Sequence, residues 1–568
     1  MPKLFHLHIE NFRGIKKFDH SFNGGMTCII GRGDSGKTTI LDAIFYVLSP
    51  LYTIPFTDSD FHNCNVDSPI KIEATLTELT EEILRKVGER IRGVKNGEII
   101  TSMTSPEVQE GVTEAITIQL KVEKDLEPEW YLLGADGIEP KPIRASEREL
   151  FNCFYISEYN DRHFTLSKGT PLSSLFKQKA EKKKDVLNTE LIAELGRHAK
   201  QGFEDAIQDK DVFQDVINAI TENAAHLGLQ STAVKASIDQ REFLLRENKI
   251  ALHQEDNVPL RQLGKGSKRL LSLAIQLSLT EPSGIILIDE IEQGLEPDRA
   301  QQICAYLSRQ HGIQVVLTTH SQHVVEELDC TYLFIKRHRS TNLMSIASEL
   351  QGFVRKHPMA LFTKSIIIGE GATEYGFIRG INEVRQDTGK GSLSLRSICA
   401  INGNGSECIK TAEQLISLGY RVSLICDSDV DDVNNQKDSL RNLGVEIFDC
   451  EDKLAFESQL FKDCPWSTLK KLIEYRISCD QTSKGVFENV KHKLSSPITY
   501  TEDWYEHESE NLRTAIGVSA GNPKNPWFKK VEMGYDVALI ILQDIELFRK
   551  QTNLYKTITA LSEWIERS

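Results

Sequence analysis

Two short apolar runs end in carboxylates. Ser365-Ile-Ile-Ile-Gly369 stops at Glu370, with Glu374 one helical turn further on. Val422-Ser-Leu-Ile-Cys426 stops at Asp427, with Asp429 two residues later. A continuous apolar run reads as a parallel strand covered on both faces, and open α/β sheets hold ligands at the C-terminal ends of such strands. If the two runs are neighbours in one sheet, four carboxylates meet. Oxygen ligands of this kind suit Mg²⁺ or Mn²⁺, and a pair of such ions drives phosphodiester chemistry.

The elements that must position these acids repeat after residue 360. Strand 366–369 is followed by a helix, and strand 397–401 by the glycine turn Asn402-Gly403-Asn404-Gly405. A helix over 407–418 leads to strand 421–426, and strand 445–448 precedes a helix carrying Glu457 on the same edge. The alternation predicts an α/β unit.

A second chemistry lies upstream. The apolar strand Met26–Ile30 runs into Gly31-Arg-Gly-Asp34-Ser35-Gly36-Lys37-Thr38-Thr39 and then a helical pattern from Ile40 to Leu48. This is a phosphate loop between its required strand and helix. Glycines let amides reach the phosphates, and the helix N-terminus favours negative charge. Lys37 would reach the β and γ phosphates and Thr38 would ligate Mg²⁺. The buried run Gly284–Ile288 ends in Asp289 and Glu290. Asp289 would hold the Mg²⁺ shell, and Glu290 would orient or deprotonate the attacking water. The strand from Ile313 ends at His320, within reach of a γ-phosphate. Between these signals, short strands are expected at 70–76, 115–122 and 129–133, with a helix over 84–91. Residues 170–250 read as helical, either a solvated hairpin or, preferred here, a dimerisation arm.

Length and composition frame the rest. The 568 residues carry a formal net charge of −15 and 11 cysteines. The chain is too long for one core. Its cysteines are scattered without a Cys-x-x-Cys pair, which favours free thiols over disulfides or zinc. No apolar run approaches a membrane span, and the N-terminus lacks a signal-peptide core, so a cytoplasmic protein without membrane contact is expected.

The order of phosphate loop, insertion, Gly264–Ser267, Asp289-Glu290 and His320 resembles the split ABC-type ATPases of the SMC, Rad50 and RecF group. The resemblance implies that Gly266 and Ser267 belong to a signature loop capping ATP on a partner's phosphate loop. A head-to-head homodimer, or a higher homo-oligomer, would follow. Gly264 stands where the signature serine is usual, and no glutamine lies between Lys37 and Gln109 for the usual Q-loop. The Glu370-Gly-x-Thr-Glu374 and Asp427-x-Asp429 modules look like a Toprim domain of the nuclease branch. Joined to such an ATPase, they resemble the OLD (overcoming lysogenisation defect) family, including the nucleases of the Gabija defence system.

The expected layout is an ABC half at 1–165, a helical insertion at 166–255, the second ABC half at 256–350 and a Toprim domain with helical extension at 360–568. The resemblance further implies that Glu370, Glu374, Asp427 and Asp429 bind divalent metal, with Glu457 a further ligand. It implies a C-terminal lysine near the scissile phosphate, Lys529 with Lys530 as its rival. It implies a DNA endonuclease or nickase of anti-phage defence, gated by ATP. Some members work beside a helicase or reverse transcriptase encoded nearby. Two competing readings are a DNA-repair or clamp ATPase that does not cut, and an effector that cuts RNA.

Overall fold

The computed structural model describes residues 2–51, 54–88, 90–101, 111–156, 259–280, 284–310, 312–451, 453–479, 482–522, 524 and 526–567, with isolated positions between 175 and 218. The dimerisation arm expected at 166–255 lies outside the described residues, isolated helical positions apart.

Three sheets carry the described chain. An eight-stranded antiparallel sheet is built on Lys3–Phe12, Ile70–Thr77 and Thr113–Val122, with Pro128–Leu133 on its far side. A six-stranded sheet runs in the order Cys153–Ile156, Gly284–Ile288, Ile313–Thr318, Met26–Ile30, Leu333–Ile335, Met344–Ser345. All its pairings are parallel except the last. A four-stranded parallel sheet runs Ile398–Asn402, Ser365–Gly369, Arg421–Cys426, Glu446–Asp449.

The apolar strands are buried on both faces, and alternate residues serve different cores. Ile29, Ile285, Leu287 and Val316 join the phosphate-loop helix Lys37–Leu48 and the antiparallel sheet in one core. Cys28, Ile30, Ile286, Ile288 and Leu317 point the other way, into a core that continues through Leu361 to Ile366, Ile368, Ile401, Val422 and Leu424. The far face of the last sheet, with Ile367, Ile398 and Ile425, packs under the C-terminal helices. The six-stranded and four-stranded sheets therefore share a core.

Polar contacts pin the same junction. The Arg337 guanidinium donates to the Leu418 carbonyl at 3.2 and 3.1 Å and to the Thr363 carbonyl at 3.2 Å. It also lies 3.6 Å from the centroid of the Tyr420 ring, whose hydroxyl donates to the Leu361 carbonyl at 2.9 Å.

One local expectation is corrected. The helix read over 84–91 is Glu81–Val87, capped by the Thr80 hydroxyl and ended by Gly88 at φ 63°; Arg92–Lys95 is a strand. The N-cap threonine and the positive-φ glycine set the boundaries more strongly than the apolar spacing did.

Candidate functional site

The phosphate loop is shaped by backbone conformations that favour glycine. Gly31 has φ 146° and Gly36 φ 92°, and a Cβ on Gly31 would lie 2.5 Å from the Lys336 carbonyl oxygen. Asp34 also takes a positive φ, at 58°. Lys37 is 5% exposed, and its ammonium donates to the carbonyls of Gly31 and Arg32, each at 2.9 Å. Burial pushes its pKa down to about 8, against the pull of Asp289, Glu290, Glu292 and Asp34. The Ser35 hydroxyl is buried without a partner among the described residues. A partnerless buried hydroxyl in a glycine-rich phosphate loop fits a phosphate oxygen. Thr39 is half-buried in the first helical turn.

Thr38 and Thr318 both donate to Asp289 Oδ1, at 3.2 and 2.5 Å. The acid expected to hold Mg²⁺ is thus beside the threonine expected to share it. Glu290 follows at φ 44°, a strained conformation for a non-glycine residue, and its N–H donates to Thr318 Oγ1 at 2.8 Å. Arg269 clamps this turn through the Asp289 and Glu290 carbonyls. His320 is held by its own N–H to Glu292 Oε1 at 2.6 Å, and its ring stacks on Phe362 with centroids 6.3 Å apart. Burial, and then Lys37, lower its pKa.

Gly266 and Ser267 lie in the first turn of the helix Lys265–Thr280 rather than in a loop. There Gly266 packs on the Gly294 carbonyl, 2.8 Å from where its Cβ would stand. Arg269 and Glu292 escaped the sequence reading. They act largely through backbone groups, with Glu292 also accepting from the Thr319 hydroxyl at 2.7 Å, and the only signal was their nearness to Ser267 and Glu290.

The second site forms at the C-terminal edge of the four-stranded sheet. Gly369 registers with Ile425, so Glu370 and Asp427 emerge from adjacent strands. Glu370 Oε2 accepts the Asp427 N–H at 3.0 Å. The glycine turn closes over it, with the Gly405 N–H on the Glu370 carbonyl at 2.8 Å. Glu374, 4% exposed, accepts the Gly371 N–H at 2.8 Å at the start of the helix Ala372–Asp387. Asp427 Oδ1 accepts the Phe456 N–H at 2.7 Å, at the N-terminus of the helix that carries Glu457. Glu457, 5% exposed, accepts from Thr373 Oγ1 at 3.1 Å. Asp429 is exposed beside them.

The chain at Lys529 runs past this edge, where the Phe528 carbonyl accepts from Thr373 Oγ1 at 3.2 Å, and Lys529 itself is exposed. Helix Val531–Gln543 lies against Ala372–Asp387 at Gly376, Gly380 and Gly534. A Cβ on Gly376 would stand 2.1 Å from the Val531 carbonyl oxygen, and one on Gly534 2.2 Å from that of Thr373. The chain just before the second helix is thereby drawn onto the acids. Burial raises the carboxyls of Glu370 and Glu457 and the charge of Lys529 offsets part of that rise, whereas Lys530 begins the helix, its N–H on the Phe528 carbonyl at 2.8 Å.

Burial dominates the electrostatics, and mutual repulsion adds to it. The carboxyl of Glu374 is pushed up to about 8 by burial and then by Glu457. That of Asp427 is pushed up to about 9 by burial and then by Glu374, Glu457 and Glu370. Glu370 and Glu457 are also raised, first by burial. Among the described residues no three His, Cys, Asp or Glu side chains stand ready-made around a metal. The acids are near enough to repel one another, yet one oxygen each of Glu370, Glu374 and Asp427 is turned to a backbone N–H. The oxygen-only donor set fits Mg²⁺ or Mn²⁺ rather than zinc, which favours nitrogen and sulfur.

A pH signature follows. A carboxyl raised on folding destabilises the folded state once it must ionise. For Glu374 the penalty is absent below about pH 4.5, grows as pH rises and is complete above about pH 8. Glu374→Gln keeps the acceptor for Gly371 and removes the charge. In EDTA at pH 8 the variant should be more stable than the wild type by about 4 kcal/mol at most, and equal to it near pH 4.5. Thermal melts at the two pH values check this. With Mn²⁺ added, the wild type should gain more than the variant.

Comparisons with known proteins bear on the first site. A family model described as an AAA ATPase domain matches residues 3–182. Another, described as an AAA domain, putative AbiEii toxin, Type IV TA system, matches residues 158–326. The chain carries an ATPase domain of the AAA/ABC type. Among named proteins it is similar to the DNA replication and repair protein RecF of Oenococcus oeni, at 23% identity over 363 residues, covering 56% of this chain and 93% of the relative. Among solved structures it aligns with the Smc head domain of Pyrococcus furiosus bound to the C-terminal domain of ScpA. That match has 14% identity and a TM-score of 0.35, over 63% of this chain and 100% of the other. The SMC head domain from Thermotoga maritima aligns at 15% identity and a TM-score of 0.28, over 61% of this chain and 99% of the other.

Proposed function

We propose that this protein is an ATP-binding, divalent-metal-dependent DNA endonuclease or nickase of the OLD type, with a Toprim module at residues 360–568 and a role in anti-phage defence. The observation that carries the reading is the gathering of Glu370, Glu374, Asp427 and Glu457 at one sheet edge, with Lys529 drawn onto them by the Gly376–Gly534 crossing. Buried acids that raise one another's pKa are a costly arrangement without a cation, and such perturbed clusters concentrate at functional sites. The likeness to a putative AbiEii toxin supports the defence role.

In this reading Glu370, Glu374, Asp427, Asp429 and Glu457 hold Mg²⁺ or Mn²⁺. Bound divalent ions would lower the pKa of water and offset charge at the scissile phosphate. Lys529 places its ammonium where a phosphate oxygen gains charge. At the nucleotide site Gly31, Gly36, Ser35 and Lys37 hold the phosphates, Thr38 and Asp289 hold Mg²⁺, and Glu290 orients water. His320 reports the γ-phosphate, and its stacking on Phe362, three residues before the strand of Glu370, gives ATP a path to the metal edge. Gly266 and Ser267 cap ATP across a homodimer, with residues 166–255 as its arm. A helicase or reverse transcriptase is a candidate partner. Among the described residues no helix is long and apolar enough to cross a membrane.

The lysine assignment is testable. Lys529→Ala should lower cleavage about 10²–10³-fold, the scale of losing one donor to a developing oxyanion. Lys530→Ala should leave the rate almost unchanged. Equal losses in single-turnover cleavage would break the assignment.

A second reading, a repair ATPase that binds DNA without cutting, takes support from the name of its RecF relative. One assay separates the readings: supercoiled, linear and single-stranded DNA and RNA, each with Mg²⁺ or Mn²⁺, with and without ATP. DNA cleavage that needs the metal supports the nuclease. Cleavage of RNA alone supports an RNA-cutting effector, and no cleavage of any polymer supports the second reading.

A further inference from the structure

Lys437 is an unusual lysine. It lies on the helix Asp431–Asn442 that follows the Asp427-Ser-Asp429 turn, and it is 4% exposed. Lysine is almost never fully buried unless paired. Its ammonium reaches back beneath the turn and donates to the Asp427 carbonyl at 2.7 Å and to Ser428 Oγ at 3.0 Å. It also pairs with Asp449 Oδ2 at 3.4 Å, at the end of the neighbouring strand. Asp449 is held in turn by Arg441 at 3.0 Å.

The rest of the turn is bound by neutral groups. Ser428 Oγ donates to the Cys450 carbonyl at 2.7 Å, Asn434 Nδ2 donates to the Ser428 carbonyl at 2.9 Å, and the Ser428 N–H donates to the Leu454 carbonyl at 3.0 Å. Lys437 is therefore the cation fastened to the back of the peptide that presents Asp427. A solvated helix face would not need it there. A purely structural ion pair would need only Asp449.

We propose that Lys437 is a positioning residue for the metal edge: its ammonium locks the backbone of the Asp427–Asp429 turn from behind, so that an arriving divalent cation need only turn the side chains of a fixed turn. This rests on the metal-site reading above. Lys437 cannot itself ligate a cation, because an ammonium is a donor only. It acts as groups behind metal ligands do, by fixing the ligands' orientation, and such groups typically set affinity by about 10–100-fold.

The test is calorimetric titration of Mn²⁺ into the full-length protein, with cleavage measured in parallel. Lys437→Met should raise the Mn²⁺ dissociation constant roughly 10–100-fold. ATP affinity should stay unchanged, and cleavage at saturating Mn²⁺ should fall far less than cleavage at limiting Mn²⁺. Lys437→Arg, which keeps the charge and several donors, should recover most of the affinity. A folded Lys437→Met protein with wild-type Mn²⁺ affinity overturns the inference, as does a loss of cleavage that saturating metal leaves undiminished. If Lys437→Met fails to fold, judged by its melt and its ATP binding, Lys437→Gln carries the same test with the same expected rise, and an unchanged affinity overturns it. A wild type that binds no Mn²⁺ overturns the metal-site reading. A wild type that binds Mn²⁺ but cuts nothing overturns the nuclease reading and leaves the Mn²⁺ comparison of Lys437 variants intact.

Discussion

Asp427→Asn should abolish metal-dependent cleavage, by more than about 10³-fold, while leaving the fold and ATP binding intact. The substitution is nearly isosteric. Asn keeps an oxygen for the Phe456 N–H that Asp427 Oδ1 now accepts at 2.7 Å. It removes the charge that a divalent cation needs from the central strand end. It also removes a charge that burial and three neighbouring glutamates disfavour. The metal-free variant should therefore melt no lower than the wild type, which a structural explanation of lost cleavage would not predict. Plasmid nicking with Mn²⁺, thermal melts in EDTA and nucleotide titration make the set. Persistent nicking by Asp427→Asn would remove this sheet edge as the cutting site.

The second large effect is mechanical. Gly376→Ala should cost about 3 kcal/mol or more and lower the melting temperature measurably. The added carbon would stand 2.1 Å from the Val531 carbonyl oxygen. That neighbour is backbone, so no side chain can swing aside and the helices must part. Lys529 lies two residues before Val531 and should move with that helix. Cleavage should accordingly fall even at temperatures where the variant stays folded. Gly352→Ala, where an added Cβ meets nothing within 4 Å, is the control and should leave both unchanged. A Gly376→Ala protein with wild-type melting and cleavage would show that the crossing does not deliver the lysine.

What was legible in the sequence was whatever a strand announces by itself. Continuous apolar runs ending in Asp289, Glu370 and Asp427 marked parallel strands and the edges where their acids emerge, while the closing of the glycine turn after Asn402 onto Glu370 appeared only in the fold. The adjacency of Glu370 and Asp427 followed because the two runs pair directly. Features made by distant partners were not legible. Gly376 and Gly534 carry no sequence signal of the crossing they make, which exists only once their helices meet. Glu292, Arg269 and Lys437 act in part on backbone carbonyls and amides, which carry no residue-type signature. The helix at 81–87 was misplaced because its ends depend on a threonine cap and one positive-φ glycine. Nor could periodicity tell which face of Ile366 and Ile368 would meet which neighbour.

That last point has a consequence for how the molecule can be divided. Ile366, Ile368, Val422 and Leu424 share one core with Ile30, Ile286 and Leu317. A protein severed near residue 357 would not be two proteins. Each piece would expose an apolar wall where the other had been, and the freed C-terminal piece would tend to aggregate. The packing runs from the strand before the phosphate loop to the strands that carry the acids without a seam.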